Sequence, residues 1–143
     1  MKVKACMTKN VISVGVDEPV AEAARLMSRY NLGSLPVCTA QGRLCGMLTD
    51  RDVVLRCVAA GKATDRVAVR EVMSTGVVCV DASEDTEQAL RLMSRAQLRR
   101  LPVTSGSRLC GMLSLGDLAR NGSFSAQTAQ CMEAICAPVV RLD

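Results

Sequence analysis

The chain has 143 residues, 49% of them apolar, and 18 Lys and Arg against 14 Asp and Glu leave a net charge of +4. This size and balance fit one compact domain, or two small units sharing a core, and exclude a disordered or fibrous chain. No apolar run approaches the roughly 18 residues that a membrane span needs, and the basic start Met1-Lys2-Val3-Lys4 leads into no signal-peptide core. A single Tyr and a single Phe leave no stacking surface for nucleic acid. The expectation is a cytoplasmic protein with no nucleic-acid and no membrane partner.

Taken in chain order, a β-prone run at Val11-Ile12-Ser13-Val14 comes first. Asp17 is then placed to cap a helix over residues 18–30, with Val20, Ala23, Ala24, Met27 and Tyr30 spaced along one face. Leu35-Pro36-Val37-Cys38 reads as a strand whose proline suggests its start or an edge. A turn through Thr39 to Gly42 and a strand from Leu44 to Leu48 complete a hairpin. A second helix over 50–60 stops at Gly61, and residues 61–65 form a linker.

The pattern then repeats. Met73 aligns with Met7, Val77 with Val11 and Glu84 with Glu18. Arg91-Leu92-Met93-Ser94-Arg95 falls on Arg25-Leu26-Met27-Ser28-Arg29, and Leu101-Pro102-Val103 on Leu35-Pro36-Val37. After a one-residue deletion, Arg108-Leu109-Cys110-Gly111-Met112-Leu113 lands on Arg43-Leu44-Cys45-Gly46-Met47-Leu48. In the second copy Ser83 is the expected helix cap, and Thr86, Leu90 and Met93 hold the apolar stripe. The chain is a tandem duplication. We divide it into a first repeat with its N-terminal segment (1–66), a second repeat (67–122) and a tail (123–143) with a short helix ended by Pro138. A unit of this size buries its sheet and helices poorly alone, so the copies are expected to pack with pseudo-twofold symmetry around a cleft, giving two related sites.

Eight cysteines and no histidine rule out the usual zinc spacings, and no Cys-x-x-Cys occurs. Most of the cysteines, Cys45 and Cys110 among them, read as small buried hydrophobes with reduced thiols. Cys131 and Cys136 form the best redox or metal pair. With no histidine, no cysteine in a nucleophilic setting and no phosphate-binding loop of the Walker type, the chain is not read as an enzyme.

Both hairpins end in Gly-x-x-Thr/Ser-x-x-Asp, at Gly46-Met47-Leu48-Thr49-Asp50-Arg51-Asp52 and at Gly111-Met112-Leu113-Ser114-Leu115-Gly116-Asp117. A hydroxyl followed three residues on by an acid is the capping-box pattern that starts helices. The same carboxylate can also accept both vicinal hydroxyls of a ribose. Free N–H groups at the helix start favour a phosphate nearby, and Val11, Pro36 and Met47 could sandwich a base.

From Cys6 to Arg120 these features resemble a pair of cystathionine-β-synthase-type (CBS) domains, a Bateman module, of the small stand-alone bacterial type. The resemblance implies an α/β (α+β) fold of two βαββα repeats, each with a three-stranded sheet and helices on one face. It implies no required cofactor, and an adenosine-containing ligand: AMP, ADP, ATP or S-adenosylmethionine. It also implies a homodimer, and the output would pass through a separate protein effector or through oligomer state. Thr49 with Asp52, and Ser114 with Asp117, would hold ribose. Arg51 and Arg100 would meet phosphate. Asn10, Val11 and Ile12, with Gly76, Val77 and Val78, would contact the base, while Pro36, Pro102, Met47 and Met112 would wall the pocket.

The copies differ in charge. Arg99-Arg100 stands where the first copy has Gly33-Ser34, and Leu115-Gly116 where it has Asp50-Arg51, so the two sites are expected to be unequal. Two other readings stay open: a ligand-free dimerisation or scaffolding module, and a thiol redox or metal sensor.

Overall fold

The computed structural model describes residues 1–121 and 126–135, without the side chains of 126–128 and 131. In chain order its elements are α1 (Val3–Cys6), β1 (Val14–Gly15), α2 (Val20–Tyr30), β2 (Ser34–Cys38), β3 (Leu44–Thr49) and α3 (Asp50–Asp52). A π-helical segment (Val53–Val58) and a 3-10 turn (Val69–Glu71) come next. Then follow β4 (Val80–Asp81), α4 (Thr86–Ala96), β5 (Arg100–Ser105), β6 (Arg108–Ser114), α5 (Leu115–Arg120) and α6 (Ala126–Ile135). The fold is mixed α+β, with two three-stranded sheets in the orders β1-β2-β3 and β4-β5-β6.

The chain divides into two compact units. The first holds Val11–Val77 with the hairpin tip Ser107–Leu109. The second holds Met1–Asn10, Val78–Gly106 and the residues from Cys110 onward. The N-terminal segment, expected with the first repeat, is built into the second unit. Hydrogen bonds fix it there: Val3 N–H donates to Glu84 O (2.9 Å), and Thr8 and Met112 exchange N–H···O bonds of 2.8 and 3.0 Å. In the first unit Ser74 exchanges the same pair of bonds with Met47, at 2.9 and 3.0 Å.

In the first unit β1 runs parallel to β2, with Val14 opposite Val37, and β2 pairs antiparallel with β3, with Leu35 opposite Leu48. Pro36 therefore sits in a central strand and not at an edge. Two facts make this tolerable. The parallel partner begins only at Val37, and the N–H of Met47, which faces Pro36, donates to Ser74 O instead. The core beneath holds Val14, Val20, Ala23, Met27, Leu35, Val37, Leu48, Cys57, Val69 and Val72. The expected stripe on α2 is buried at Val20, Ala23 and Met27, but Ala24 is only half-buried and Tyr30 is exposed. The expected strand over 11–14 shrinks to Val14–Gly15, because only those two residues find partners on β2.

In the second unit β4 runs parallel to β5, with Val80 opposite Val103. Its core contains Val3, Val80, Ala89, Leu90, Met93, Leu101, Val103, Leu113 and Leu118, together with Ile135 of α6. The anticipated tail helix is thus present over 126–135, while Cys136 and Pro138 lie outside the described residues.

The two anticipated caps of the long helices are absent. α2 starts after Pro19 and α4 after Asp85, with no side-chain cap on either. Asp17 pairs with Arg70, and Ser83 donates through both N–H and Oγ to Asp81 (2.9 and 2.6 Å). The helix after the first hairpin turns π-helical from Val53 and closes through Gly61, whose φ of 72° suits a residue without a β-carbon.

The glycine of each hairpin motif is required by packing. A β-carbon at Gly46 would stand 2.5 Å from Met73 Sδ and 3.0 Å from the Ser74 carbonyl oxygen. One at Gly111 would meet Met7 Sδ at 2.5 Å and Thr8 O at 3.0 Å. The sulfur can swing aside, but the carbonyl belongs to a hydrogen-bonded backbone. Gly111→Ala is therefore expected to lower stability by about 1–3 kcal/mol, the usual cost of overpacking. It should appear as a lower urea midpoint at unchanged slope; an unchanged midpoint would show that Met7 yields freely.

Candidate functional site

Both strand–helix junctions form complete capping boxes. In the first unit Asp52 N–H donates to Thr49 Oγ1 and Thr49 N–H donates to Asp52 Oδ2, each at 3.0 Å. In the second, Asp117 N–H donates to Ser114 Oγ (3.0 Å) and Ser114 N–H to Asp117 Oδ2 (2.8 Å). Each junction is also tied to the residue before the first strand of its hairpin: Asp50 N–H donates to Gly33 O (2.9 Å) and Leu115 N–H to Arg99 O (2.8 Å). Helix start and strand start are thereby held side by side. This is how the second unit brings Arg99 and Arg100 to the junction.

The other oxygen of each carboxylate separates the copies. Asp117, 8% exposed, accepts Arg120 Nη2 on Oδ1 at 2.5 Å. Among the described residues Asp52 has only the Arg56 guanidinium near Oδ1, with Nε at 3.8 Å, an ion pair without a hydrogen bond. Leucine occupies position 55, three residues after Asp52, so the first copy has no counterpart of the Arg120 contact.

A hollow of about 570 Å³ opens at the second junction, lined by Arg99, Arg100, Ser114, Leu115, Gly116, Ala119, Arg120 and Met132. Of the anticipated residues it unites Arg100 with Ser114. Arg120, Arg99 and Met132 were not anticipated. Arg120 was legible as an i,i+3 partner of Asp117; Met132 reaches the hollow through docking of α6, which no local pattern announces. A β-carbon on Gly116 would lie 3.3 Å from Arg120 Nη1, so the lack of a side chain there gives that guanidinium its place. Three arginines beside the Ser114 hydroxyl make a donor-rich, cationic surface suited to phosphate oxygens.

The remaining anticipated residues are placed as follows. Arg51 is exposed on the first junction, Met47 and Met112 are half-buried, and Pro36 and Pro102 are buried. The base-contacting trios are each divided by the unit boundary: Asn10 falls in the second unit and Val11 and Ile12 in the first, while Gly76 and Val77 fall in the first and Val78 in the second. Asn10 and Gly76 are exposed, and the four apolar residues are half-buried.

Cys6, Cys38 and Cys57 are buried and free, as expected of small hydrophobes. Cys45, Cys79 and Cys110 are free but only half-buried. The strand period decides this, because Gly46 and Leu48 take the buried face of β3 and Gly111 and Leu113 that of β6. Cys45 Sγ donates to Val37 O at 3.3 Å. Burial pushes the thiols of Cys6, Cys38, Cys45 and Cys110 up from their ordinary range, with Cys45 adding to the effect at Cys38 and Asp81 at Cys110. No group of three or more His, Cys, Asp or Glu gathers among the described residues to hold a metal. The Cys131 and Cys136 side chains lie outside them. No described helix is long and apolar enough to cross a membrane.

A CBS domain is matched twice, over residues 3–58 and 69–123. The chain belongs to the CBS-domain family. It is 44% identical over 119 residues to the CBS domain-containing protein YhcV of Bacillus subtilis, covering 83% of this chain and 84% of that one. It is 37% identical over 133 residues to Hypoxic response protein 1 of Mycobacterium tuberculosis, covering 93% and 92%. Among solved structures, Hypoxic Response Protein I with two coordinated zinc ions superposes with a TM-score of 0.77 at 36% identity, over 84% of this chain and 98% of that one. CBSX2 in complex with AMP gives 0.72 at 26% identity, over 85% and 96%.

Two outcomes follow. Ser114→Ala should cost about 1 kcal/mol of stability through the lost cap, seen as a lower melting temperature with secondary structure retained. Folding holds the burial-shifted thiols protonated past the pH at which the unfolded chain ionises them. Their contribution to stability is therefore full below the ordinary thiol range and is lost as the pH rises from that range through the raised values of the folded state. In native protein, alkylation of Cys38 and Cys45 should run slower than that of free cysteine at neutral pH and accelerate only at higher pH. Rapid labelling of either at neutral pH would contradict this assignment.

Proposed function

We propose that the protein is a regulatory module that senses an adenosine-containing ligand (AMP, ADP, ATP or S-adenosylmethionine) through its two CBS repeats, with no catalytic step. The observation that carries this reading is the second junction, where Ser114, Arg100 and Arg120 line one hollow beside the buried carboxylate of Asp117. The AMP complex of CBSX2 supports the ligand class. Thr49 with Asp52 and Ser114 with Asp117 are the proposed ribose contacts, and Arg51 and Arg100 the proposed phosphate contacts. Asn10 to Ile12 and Gly76 to Val78 are the proposed base contacts, with Pro36, Pro102, Met47 and Met112 as walls.

The capping boxes refine the ribose assignment. Each aspartate spends one oxygen on its own helix, and only the other is left for a sugar hydroxyl. At Asp117 that oxygen is already bound to Arg120; at Asp52 it carries no hydrogen bond. The first site is therefore the readier one for ribose. The second has the richer charge for phosphate but must release Arg120 first. The exposed apolar side chains Val54, Leu55 and Val58 on the π-helical segment, 54%, 49% and 57% exposed, support a homodimer.

A second reading, a ligand-free dimerisation module, is favoured by the completeness of both capping boxes, since each aspartate already has a structural task. Calorimetry of the full chain with AMP, ADP, ATP and S-adenosylmethionine separates the two. A sensor should bind at least one of them, with affinity reduced tenfold or more by Asp52→Ala, the loss expected for a charged hydrogen bond. A scaffold should show no binding heat and no ligand-induced thermal shift, while the same substitution lowers its melting temperature through the lost cap.

A further inference from the structure

The repeated Arg-Leu-Cys-Gly-Met-Leu segments have a consequence unrelated to the two strand–helix junctions. Their leading arginines, Arg43 and Arg108, meet as partners in an isolated antiparallel bridge. This lies within the first compact unit, to which the tip Ser107–Leu109 belongs. Leu44 N–H donates to Ser107 O (3.0 Å) and Leu109 N–H to Gly42 O (3.1 Å). These bonds flank the arginines, which therefore form a non-hydrogen-bonded pair, the arrangement that brings opposed side chains closest. Like charges directly opposite one another are unfavourable. Among the described residues, no carboxylate lies within ion-pair distance of either guanidinium.

The surroundings supply donors in place of a counter-charge. A hollow of about 560 Å³ is lined by Thr39, Gln41, Arg43, Ser107 and Arg108. Arg108 Nη2 lies 3.5 Å from the point where a β-carbon on Gly42 would stand, so its guanidinium folds back over the turn. Thr39 Oγ1 accepts the Arg43 N–H at 3.2 Å, which leaves its own hydroxyl proton to donate. Among the described residues no apolar or aromatic side chain lines the hollow, so its contacts favour the charged phosphate of a ligand over an apolar part.

We propose that the Arg43–Arg108 bridge is an anion site for small phosphate-bearing ligands that carry no base, with the two guanidiniums gripping phosphate oxygens and the Thr39 and Ser107 hydroxyls completing the shell. Bound anion would relieve the repulsion between the arginines, linking occupancy to the stability of the paired hairpin tips.

Titration of the ¹⁵N-labelled full chain with inorganic pyrophosphate, and separately with orthophosphate, tests this. The expected result is saturable amide shifts confined to residues 39–43 and 107–109, stronger for pyrophosphate. In Arg43→Gln/Arg108→Gln, with the rest of its spectrum unchanged, the affinity should fall at least tenfold. Arg43→Lys, which keeps charge but loses the planar fork, should fall between the two. Absence of shifts at these amides, equal shifts with sodium chloride at matched ionic strength, or an affinity untouched by the double substitution would overturn the proposal. If the double substitution disturbs the spectrum broadly, the lysine variant decides: unchanged binding there also counts against the site.

Discussion

Gly46 and Gly111 have no side chain, and this lets a second backbone segment lie against each hairpin with its methionine seated over the vacant position. Met73 and Ser74 take that place in the first unit, Met7 and Thr8 in the second, each by a reciprocal pair of backbone hydrogen bonds. Each unit thus gains an edge contact from a part of the chain outside its own hairpin. The positions of both strand–helix junctions depend on it, because the strand that carries glycine also carries the hydroxyl and leads to the carboxylate of the capping box.

At each junction one carboxylate serves two ends. Its first oxygen closes a capping box and stabilises the N-terminus of a short helix. Its second oxygen is what makes the junction chemically interesting, and the two copies treat it differently. The difference comes from one residue in each helix, arginine at 120 against leucine at 55. Divergence after duplication therefore acts on the accessibility of a shared group while the group itself is kept. The second oxygen of Asp117 is thus engaged in a charged hydrogen bond with Arg120, whereas that of Asp52 faces only a longer ion pair with Arg56.

Much of this was readable from residues alone. The hairpins, the long helices and the capping boxes depend on neighbours within a few positions, and local spacing reports those faithfully. Asp17 and Ser83 show where such reading fails. Both are good capping residues by type, but Arg70, more than fifty positions away, takes the first, and the turn at Asp81 takes the second. The placement of Met1–Asn10 in the second unit was equally hidden, since alignment of the copies puts Met7 beside its own repeat. Cys45 and Cys110 sit on the less covered face of their strands because glycine and leucine occupy the other, a choice of register that composition alone leaves open. Arg99 and Arg100 were visible as a charge difference, but that they share a hollow with Arg120 and Met132 depends on the docking of α6.

The exchange of edge segments also bears on how the chain is made. Residues 1–10 are synthesised before the first unit, yet their partners at Ala82, Glu84 and Met112 come after it in the chain. The first unit, apart from its short borrowed tip, can close once residue 77 is out, while the N-terminal arm waits for a strand not yet synthesised. Long-range closure of this kind slows folding relative to local contacts.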